Sequence, residues 1–300
     1  MAKRGGLIGV AALAALTIAA PLASVALAAD DRPQRIVSLN LCTDQLLVEL
    51  ADRARIASVS FLAADPEFSA VADRVAGIAA NRGRVEDVLA LRPDLVLAHR
   101  HASREAVAML RRLGHRVVEI DLPQDLEAVR GQIRAVAAAG GGNGGGGTGV
   151  AGIGRRPPAP PPAARAPAAA GAPPPGARPT AAIYEPSGYA FGANSLADAI
   201  LRAAGYDNLA AVLGVGGYAR LGLETLLASP PDLLVVDDTA ADRRSMAQQL
   251  LDHPALRRQF AGASRVAVPR RLWICGGSSV ADAVEMLAAA RLARDRSADR

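Results

Sequence analysis

The sequence is poor in lysine, cysteine and aromatic residues. Lys3 is the only lysine among 300 residues, so a chain that has lost its N-terminus lacks an amine for Schiff-base or phosphate-loop chemistry. Aromatic residues make up 3% of the chain against 51% for all apolar residues, so alanine, leucine and valine must fill its cores. Two cysteines, Cys42 and Cys275, are too few for a disulfide framework, and the sequence leaves open whether they pair.

Catalytic signatures are also missing. The sequence contains neither a Gly-x-Ser-x-Gly elbow nor a His-Glu-x-x-His helix, and Asn40-Leu-Cys-Thr-Asp44 stands where a dinucleotide fingerprint would follow the first strand. The glycine run 140–147 lacks the strand and helix that flank a phosphate loop. We therefore predict a protein that is not an enzyme and that carries no resident cofactor.

The basic net charge of +5 is concentrated outside the folded parts. Setting aside Lys3, Arg4 and the four arginines of residues 140–179 leaves 28 basic against 29 acidic side chains. This balance gives no indication of a nucleic-acid partner.

The N-terminus is typical of a secretory signal. Lys3 and Arg4 precede an apolar run from Leu7 to Ala20, and Ala26-Leu27-Ala28 is a small-x-small cleavage site. A membrane anchor is less consistent, because Pro21 interrupts a short apolar core. We expect an exported, periplasmic protein.

Two distant segments repeat one pattern. Residues 86–97 and 224–235 each begin with a glutamate, reach a Pro-Asp pair and continue as an apolar run of strand length. Proline ends the helix and the apolar run suits a buried parallel strand. The repeat therefore predicts two similar α/β lobes with mainly parallel sheets.

Strand and helix patterns alternate on both sides of a glycine- and proline-rich tract. They predict a signal peptide at 1–28, an N-terminal lobe at 29–125, a connector at 126–179 and a C-terminal lobe at 180–300. The connector is expected to be helical only to about residue 139.

Individual elements are predicted from caps and apolar runs. A helix is expected at Leu46–Leu50 behind Thr43-Asp44-Gln45, another at 125–139, a glycine-rich loop at 214–222 and a strand at 272–275.

Ligands in open α/β sheets bind beyond the carboxyl ends of the strands. Most of the nine aromatic residues fall at predicted strand ends or in loops, where they suit a cleft for a bulky ligand or simply cap the core. The predicted ligand-binding residues are Asn40, Cys42, Phe61, Arg100, Tyr184, Tyr189, Tyr218, Arg220 and Trp273.

His99 and His101 follow a predicted strand and lie on the same side of an extended segment. They could hold a metal jointly, but no third ligand is visible and loop histidines are common. We therefore predict no metal site.

The chain resembles the periplasmic substrate-binding proteins of iron-complex and cobalamin ABC importers. The resemblance rests on Arg35-Ile-Val-Ser-Leu39, the Thr-Asp-Gln-Leu-Leu helix and the Glu-x-x-Leu-Ala-Leu-x-Pro-Asp-Leu-Val repeat, and it covers residues 35–139 and 180–294. It implies two Rossmann-like lobes joined by one long helix. A ferric siderophore, haem or corrinoid would bind in the cleft between them.

The resemblance also implies a role for the repeated glutamates. Glu86 and Glu224 each occupy the first turn of a predicted helix, where a carboxylate stabilises the helix dipole. In the family, such a pair docks on arginines of the permease, so the implied partners are an ABC permease and, through it, an ATPase. The protein itself is expected to be a monomer.

The tract at 140–179 departs from the family, because no amphipathic helix is visible there.

Two other functions stay open beside import of an iron complex or corrinoid. They are a binding protein of the same type for haem or a bare metal ion, and an exported two-lobe α/β enzyme.

Overall fold

The computed structural model describes residues 32–140, 178–237 and 249–298. The predicted signal peptide at 1–28 and residues 141–177 of the connector lie outside these ranges. Two α/β lobes are present, as the repeat predicts, and both belong to one compact unit, Arg32–Arg300.

The first lobe is built on a fully parallel sheet of order β3-β2-β1-β4-β5. Its strands are β1 (Ile36–Ser38), β2 (Ile56–Ser60), β3 (Ala79–Asn81), β4 (Leu95–His99) and β5 (Val117–Ile120). Its helices are α1 (Leu41–Leu50), α2 (Val85–Leu89), α3 (Arg104–Arg112) and α4 (Leu126–Ala139). Strands β1 and β4 are buried along their whole length, which explains their continuous apolar runs.

The second lobe has a mixed sheet of order β11-β10-β6-β7-β9, with β8 also paired to β6. Its strands are β6 (Thr180–Glu185), β7 (Tyr189–Phe191), β8 (Asp207–Asn208), β9 (Tyr218–Arg220), β10 (Leu233–Val236) and β11 (Arg265–Ala267). Its helices are α5 (Leu196–Ala203), α6 (Leu209–Val212), α7 (Leu223–Ala228), α8 (Pro254–Gln259) and α9 (Val280–Ala298). Strands β7 and β9 are antiparallel to their neighbours, whereas β8, β10 and β11 pair in parallel.

The aspartate of each repeat holds the start of the lobe's first strand. Asp94 accepts hydrogen bonds from the backbone N–H groups of Gln34 (2.6 Å) and Arg35 (2.9 Å), just before β1. Asp232 accepts one from the backbone N–H of Thr180 (2.7 Å), the first residue of β6. The repeat is therefore a structural unit in which the Pro-Asp turn satisfies backbone donors of the neighbouring strand.

Helix α1 begins five residues earlier than predicted. Asn40 is its N-cap, and the Asn40 side chain accepts a hydrogen bond from the backbone N–H of Thr43 (3.3 Å). Thr43 therefore lies inside the helix, where its hydroxyl group donates to the Asn40 side chain (2.8 Å). An asparagine at this position satisfies a free backbone donor in the first turn of the helix.

Helix α4, predicted at 125–139, packs on both lobes. Its N-cap is Asp125, and Val129 joins the apolar core of the second lobe. Val136 and Ala139 join the core of the first lobe, and Ile133 packs against both cores. A short helix thus joins the two cores directly. Within the described ranges, no helix combines the length and the apolar character needed to cross a bilayer.

Two predicted elements of the second lobe are wrong. The loop at 214–222 contains β9, because Tyr218–Arg220 pairs with Tyr189–Phe191. Residues 272–275 form no strand: a 3-10 helix at Arg270–Leu272 leads into turns, and the backbone N–H groups of Trp273 and Ile274 bond back to Arg270. The apolar run there serves core packing.

Candidate functional site

Strands β7 and β9 present three aromatic rings on one side. Phe191 pairs with Tyr218 and Tyr189 pairs with Arg220 across the ladder, so these four side chains share one face. The Tyr189 and Tyr218 rings stack with centroids 4.9 Å apart, and Phe191 lies 4.6 Å from Tyr218. Tyr218 is 54% exposed. We call Tyr189, Phe191, Tyr218 and Arg220 the aromatic face.

Trp273 supports this face from below. Its ring meets Phe191 edge-on, at 5.1 Å and 88°. Only 4% of Trp273 is exposed, and it belongs to the apolar core of the second lobe. The prediction that Trp273 itself lines the cleft is therefore wrong: its ring positions Phe191 and does not form the outer surface.

An ion-pair cluster lies beside the aromatic face. Arg270 binds Glu185 (2.5 Å) and forms an ion pair with Asp237 (3.5 Å). Glu185 ends β6 and Asp237 follows β10, so the cluster marks the carboxyl ends of two neighbouring parallel strands. Burial raises the pKa of Glu185, and the charge of Asp237 adds to the rise, while the Arg270 guanidinium opposes it.

The same cluster influences the aromatic face electrostatically. Burial raises the pKa of the Tyr218 hydroxyl, and the nearby charge of Glu185 raises it further. The Tyr218 hydroxyl therefore stays protonated and can donate a hydrogen bond to a ligand at neutral pH.

The first lobe meets this cluster through the segment after β2. The Arg270 guanidinium carbon lies 5.8 Å from the centre of the Phe68 ring, a cation–π contact across the lobe boundary. Phe61, at the carboxyl end of β2, is 56% exposed. The carboxyl ends of β2, β6 and β10 thus approach one boundary, as the rule for ligand sites in open sheets predicts.

Two other predicted residues of the first lobe have structural partners. Asn40 caps α1, although its side-chain nitrogen is buried without a partner among the described residues. Arg100 follows β4 and forms a 2.7 Å ion pair with Asp121, which follows β5. Both lie at strand ends, where the prediction placed them.

Tyr184 and Cys42 do not line the cleft as free side chains. Tyr184 is fully buried on one face of β6, while its neighbour Ile183 is buried in a separate core on the other face. Cys42 forms a disulfide with Cys275, 233 residues away in the other lobe. For Tyr184 the prediction of a cleft surface is wrong, because the side chain is fully buried. Cys42 is partly exposed and its contact with a ligand stays a prediction, while the open question of cysteine pairing is resolved.

His99 and His101 are adjacent, with ring centroids 5.7 Å apart. Nδ1 of the buried His99 accepts a hydrogen bond from the backbone N–H of His101 (3.2 Å), so this nitrogen is engaged. Burial lowers the pKa of His99, and His101 lowers it further. In the part of the chain that the structure describes, no group of three or more His, Cys, Asp or Glu side chains is placed to hold a metal ion.

Glu86 and Glu224 occupy matching positions on the two lobes. Each lies exposed in the first turn of its helix, α2 or α7, as predicted. Glu86 also borders a groove of about 830 Å³ between α2 and α3, whose apolar wall includes Leu89, Met109 and Leu113. Both carboxylates are accessible to a partner.

Sequence reasoning missed Arg270, Glu185, Asp237 and Phe68. Their signal was present in part, since Glu185 and Asp237 each directly end an apolar strand. The pairing of these two strands and the return of Arg270 onto them are tertiary facts that one sequence does not display.

Two α/β lobes whose strand ends face a shared boundary lined with aromatic and charged side chains define the class of two-lobe binding proteins. The chain belongs to the periplasmic binding protein family, whose model matches residues 36–266.

Individual relatives and structural neighbours are named as cobalamin-, haem- or vitamin B12-binding proteins. A cobalamin-binding protein of Halobacterium salinarum is 29% identical over 233 residues, which is 77% of this chain and 61% of that protein. The periplasmic haem-binding protein RhuT of Roseiflexus sp. RS-1 superposes with a TM-score of 0.65 at 22% identity, covering 87% of this chain and 98% of RhuT. The vitamin B12-binding protein BtuF of Vibrio cholerae superposes with a TM-score of 0.58 at 15% identity, covering 88% and 99%. The two structural likenesses concern the fold.

Proposed function

We propose that this protein is the substrate-binding component of an ABC importer, and that it captures a bulky iron complex or corrinoid between its lobes. Haem is the alternative ligand of the same type, and a bare metal ion is a further one. The protein itself performs no reaction in this proposal, and it acts as a monomer.

The aromatic face carries the proposal. Three rings packed at 4.6–4.9 Å offer a broad apolar surface, and the exposed Tyr218 ring is costly to leave in water unless a ligand covers it. Arg220 at its edge and the Tyr218 hydroxyl supply polar contacts to the rim of a ligand. A flat or bulky chelate meets these requirements better than a small ion does.

The disulfide supports an oxidising compartment. Disulfides persist in secreted and periplasmic proteins and are rare in the cytosol. The Cys42–Cys275 bond therefore agrees with export to the periplasm, which the predicted signal at 1–28 also indicates.

The repeated glutamates fit a membrane partner. Glu86 and Glu224 are exposed on equivalent helices of the two lobes, so one permease with paired arginine clusters would engage both. The apolar wall of the groove at Glu86 adds a surface for a neighbouring side chain of the permease. The ATPase would be reached only through the permease.

The test is calorimetric titration of the mature, oxidised protein with cyanocobalamin, haemin and a ferric hydroxamate. We expect saturable binding of at least one of them. Replacing Tyr189 and Tyr218 together with alanine should weaken that binding by at least about tenfold, because two stacking surfaces are lost. Tyr206→Phe is the matched control, since Tyr206 is fully buried in the core of the second lobe.

Absence of binding to all three chelates by the folded protein would contradict the proposal. Turnover of a generic ester or phosphate substrate that the tyrosine double variant loses would instead favour the enzyme alternative.

A further inference from the structure

A compact set of contacts between the two lobes involves none of the residues of the aromatic face. A turn of the second lobe, residues 274–279, contacts both α1 and α4 of the first half of the chain. Cys275 in this turn forms the disulfide with Cys42 at the start of α1, and it is 1% exposed.

The second contact in this set is a pair of hydrogen bonds between the lobes. Glu49, near the end of α1, accepts hydrogen bonds from the hydroxyl of Ser278 (2.7 Å) and from its backbone N–H (3.3 Å). Ser278 lies two residues before α9, so the carboxylate holds the segment that leads into this long helix. Burial raises the pKa of Glu49, and the bonds from Ser278 counteract this rise.

The third contact requires a glycine. Gln132 on α4 donates a hydrogen bond to the carbonyl oxygen of Gly276. A Cβ atom at Gly276 would clash with Pro123 and with the Gln132 side chain, and it would lie 3.1 Å from Val129. At the adjacent Gly277, the same atom would lie 3.6 Å from the Glu49 oxygens, an ordinary contact.

We propose that these three contacts, the interlobe strut, position the two halves of the binding cleft relative to each other. The covalent path along the chain between the lobes runs from α4 through residues 141–177, outside the described ranges, to β6. The strut crosses the boundary without that path, and one of its contacts is a covalent bond. In this proposal the strut acts together with the packing of α4 on both cores to set the spacing between Phe61 and Phe68 on one side and the aromatic face on the other.

The inference rests on the proposed function only where ligand affinity is measured. Two half-sites held at a fixed distance bind a bridging ligand more tightly than two half-sites that must first be ordered. Breaking the strut should therefore weaken a bridging ligand while each lobe keeps its fold.

The experiment compares four forms of the full-length mature protein: oxidised, reduced with dithiothreitol, Gly276→Ala and Gly277→Ala. Reduction acts on this bond alone, because the sequence contains only two cysteines. Hydrogen–deuterium exchange is measured across the chain, together with the affinity for cyanocobalamin and for haemin.

We expect faster exchange in residues 274–282 and in α1 for the reduced and Gly276→Ala forms, with β4 and β10 still protected. Affinity for the probe that binds should fall by about tenfold in the same two forms. Gly277→Ala should match the oxidised wild type in both measurements.

Unchanged exchange at the turn and at α1 after reduction would overturn the inference, whether or not either probe binds. Loss of protection across β4 and β10 would also overturn it, because the strut would then maintain the fold of the lobes and not their spacing. If Gly276→Ala does not fold, the reduced wild-type protein still decides between these results. Exchange changes without binding of either probe would support the strut and count against the proposed ligands.

Discussion

The two lobes share a scaffold and differ in what is added to it. Each has a parallel β-α-β frame in which a Pro-Asp turn holds the first strand, through Asp94 in one lobe and Asp232 in the other. The second lobe adds the antiparallel strands β7 and β9, which carry the aromatic face. The repeated part therefore supplies the shared frame and the proposed docking positions, while the part that is not repeated supplies most of the proposed ligand surface.

The largest expected effect comes from removing both carboxylates of the proposed permease-docking pair. Glu86→Ala combined with Glu224→Ala should abolish uptake of the ligand in cells and leave its affinity for the purified protein unchanged, because both side chains are exposed on helices and neither belongs to the aromatic face. Transport of radiolabelled ligand in a strain that lacks the native chain measures this. Glu285→Ala, an exposed acidic position on α9, is the control. Normal uptake by the double variant would remove the docking role.

The next prediction concerns the pH dependence of stability, which should differ between buried carboxyl groups of the two lobes. Asp44 in α1 is buried and accepts hydrogen bonds from the backbone N–H (3.0 Å) and hydroxyl (2.5 Å) of Ser60. Burial raises its pKa from 3.8 to about 6. In the corresponding helix of the second lobe, Asp198 instead pairs with Arg202 at 3.0 Å.

A raised carboxyl pKa means that the folded state holds the proton more tightly than the unfolded state does. The stabilisation that protonated Asp44 gives the folded state is therefore fully present below about pH 4 and is lost as the pH rises through 6. The free energy of unfolding falls by about 3 kcal/mol over this range. Urea denaturation from pH 4 to 7 should show this slope reduced in Asp44→Asn and retained in Asp198→Asn. An unaltered slope in Asp44→Asn would show that the pH dependence of stability does not come from the Asp44 carboxyl group.

The equivalence of the two Pro-Asp turns can be tested directly. Asp94→Ala and Asp232→Ala should each lower the free energy of unfolding by about 1–3 kcal/mol, because backbone donors lose their partners. The effect should be larger for Asp232, which also binds Arg294. Asp73→Ala, at an exposed position, serves as the reference in urea denaturation. Effects confined to one of the two lobes would show that the repeat is not a shared structural unit.

The smallest effect concerns the contribution of the first lobe to ligand binding. Phe61→Ala removes one exposed ring from that side and should weaken binding by about threefold, against at least tenfold for the tyrosine double variant. Calorimetry on both variants gives the ratio. An equal or larger loss at Phe61 would move the main ligand surface to the first lobe.

The sequence was a good guide where local chemistry decides the outcome. Pro93 and Pro231 lie within four residues after the ends of their helices, Asp125 caps α4, and the apolar runs of β4 and β10 are buried strands. Caps, prolines and continuous apolar runs act over a few residues, so the sequence displays them. These signals predicted both lobes and the positions of Glu86 and Glu224.

Tertiary pairing limited the prediction of the site. Strand β9 has three residues within a glycine-rich segment, too few for an alternating pattern to be recognised before its partner β7 is known. Tyr184 and Trp273 are buried because of how β6 and the turn after Arg270 pack, although both were predicted at the surface of the cleft. Arg270 was missed because its two carboxylate partners are distant in sequence.

The most direct test of the central claim is the fluorescence of Trp273 during titration with a coloured chelate. Trp273 is the only tryptophan in the chain, and it contacts the aromatic face through Phe191 at 5.1 Å. The account predicts saturable quenching, corrected for absorbance, that is lost in the variant with alanine at both Tyr189 and Tyr218 and kept in Tyr206→Phe. Quenching that persists unchanged without the two tyrosines would show that the ligand binds elsewhere, and the aromatic face would not be the binding surface.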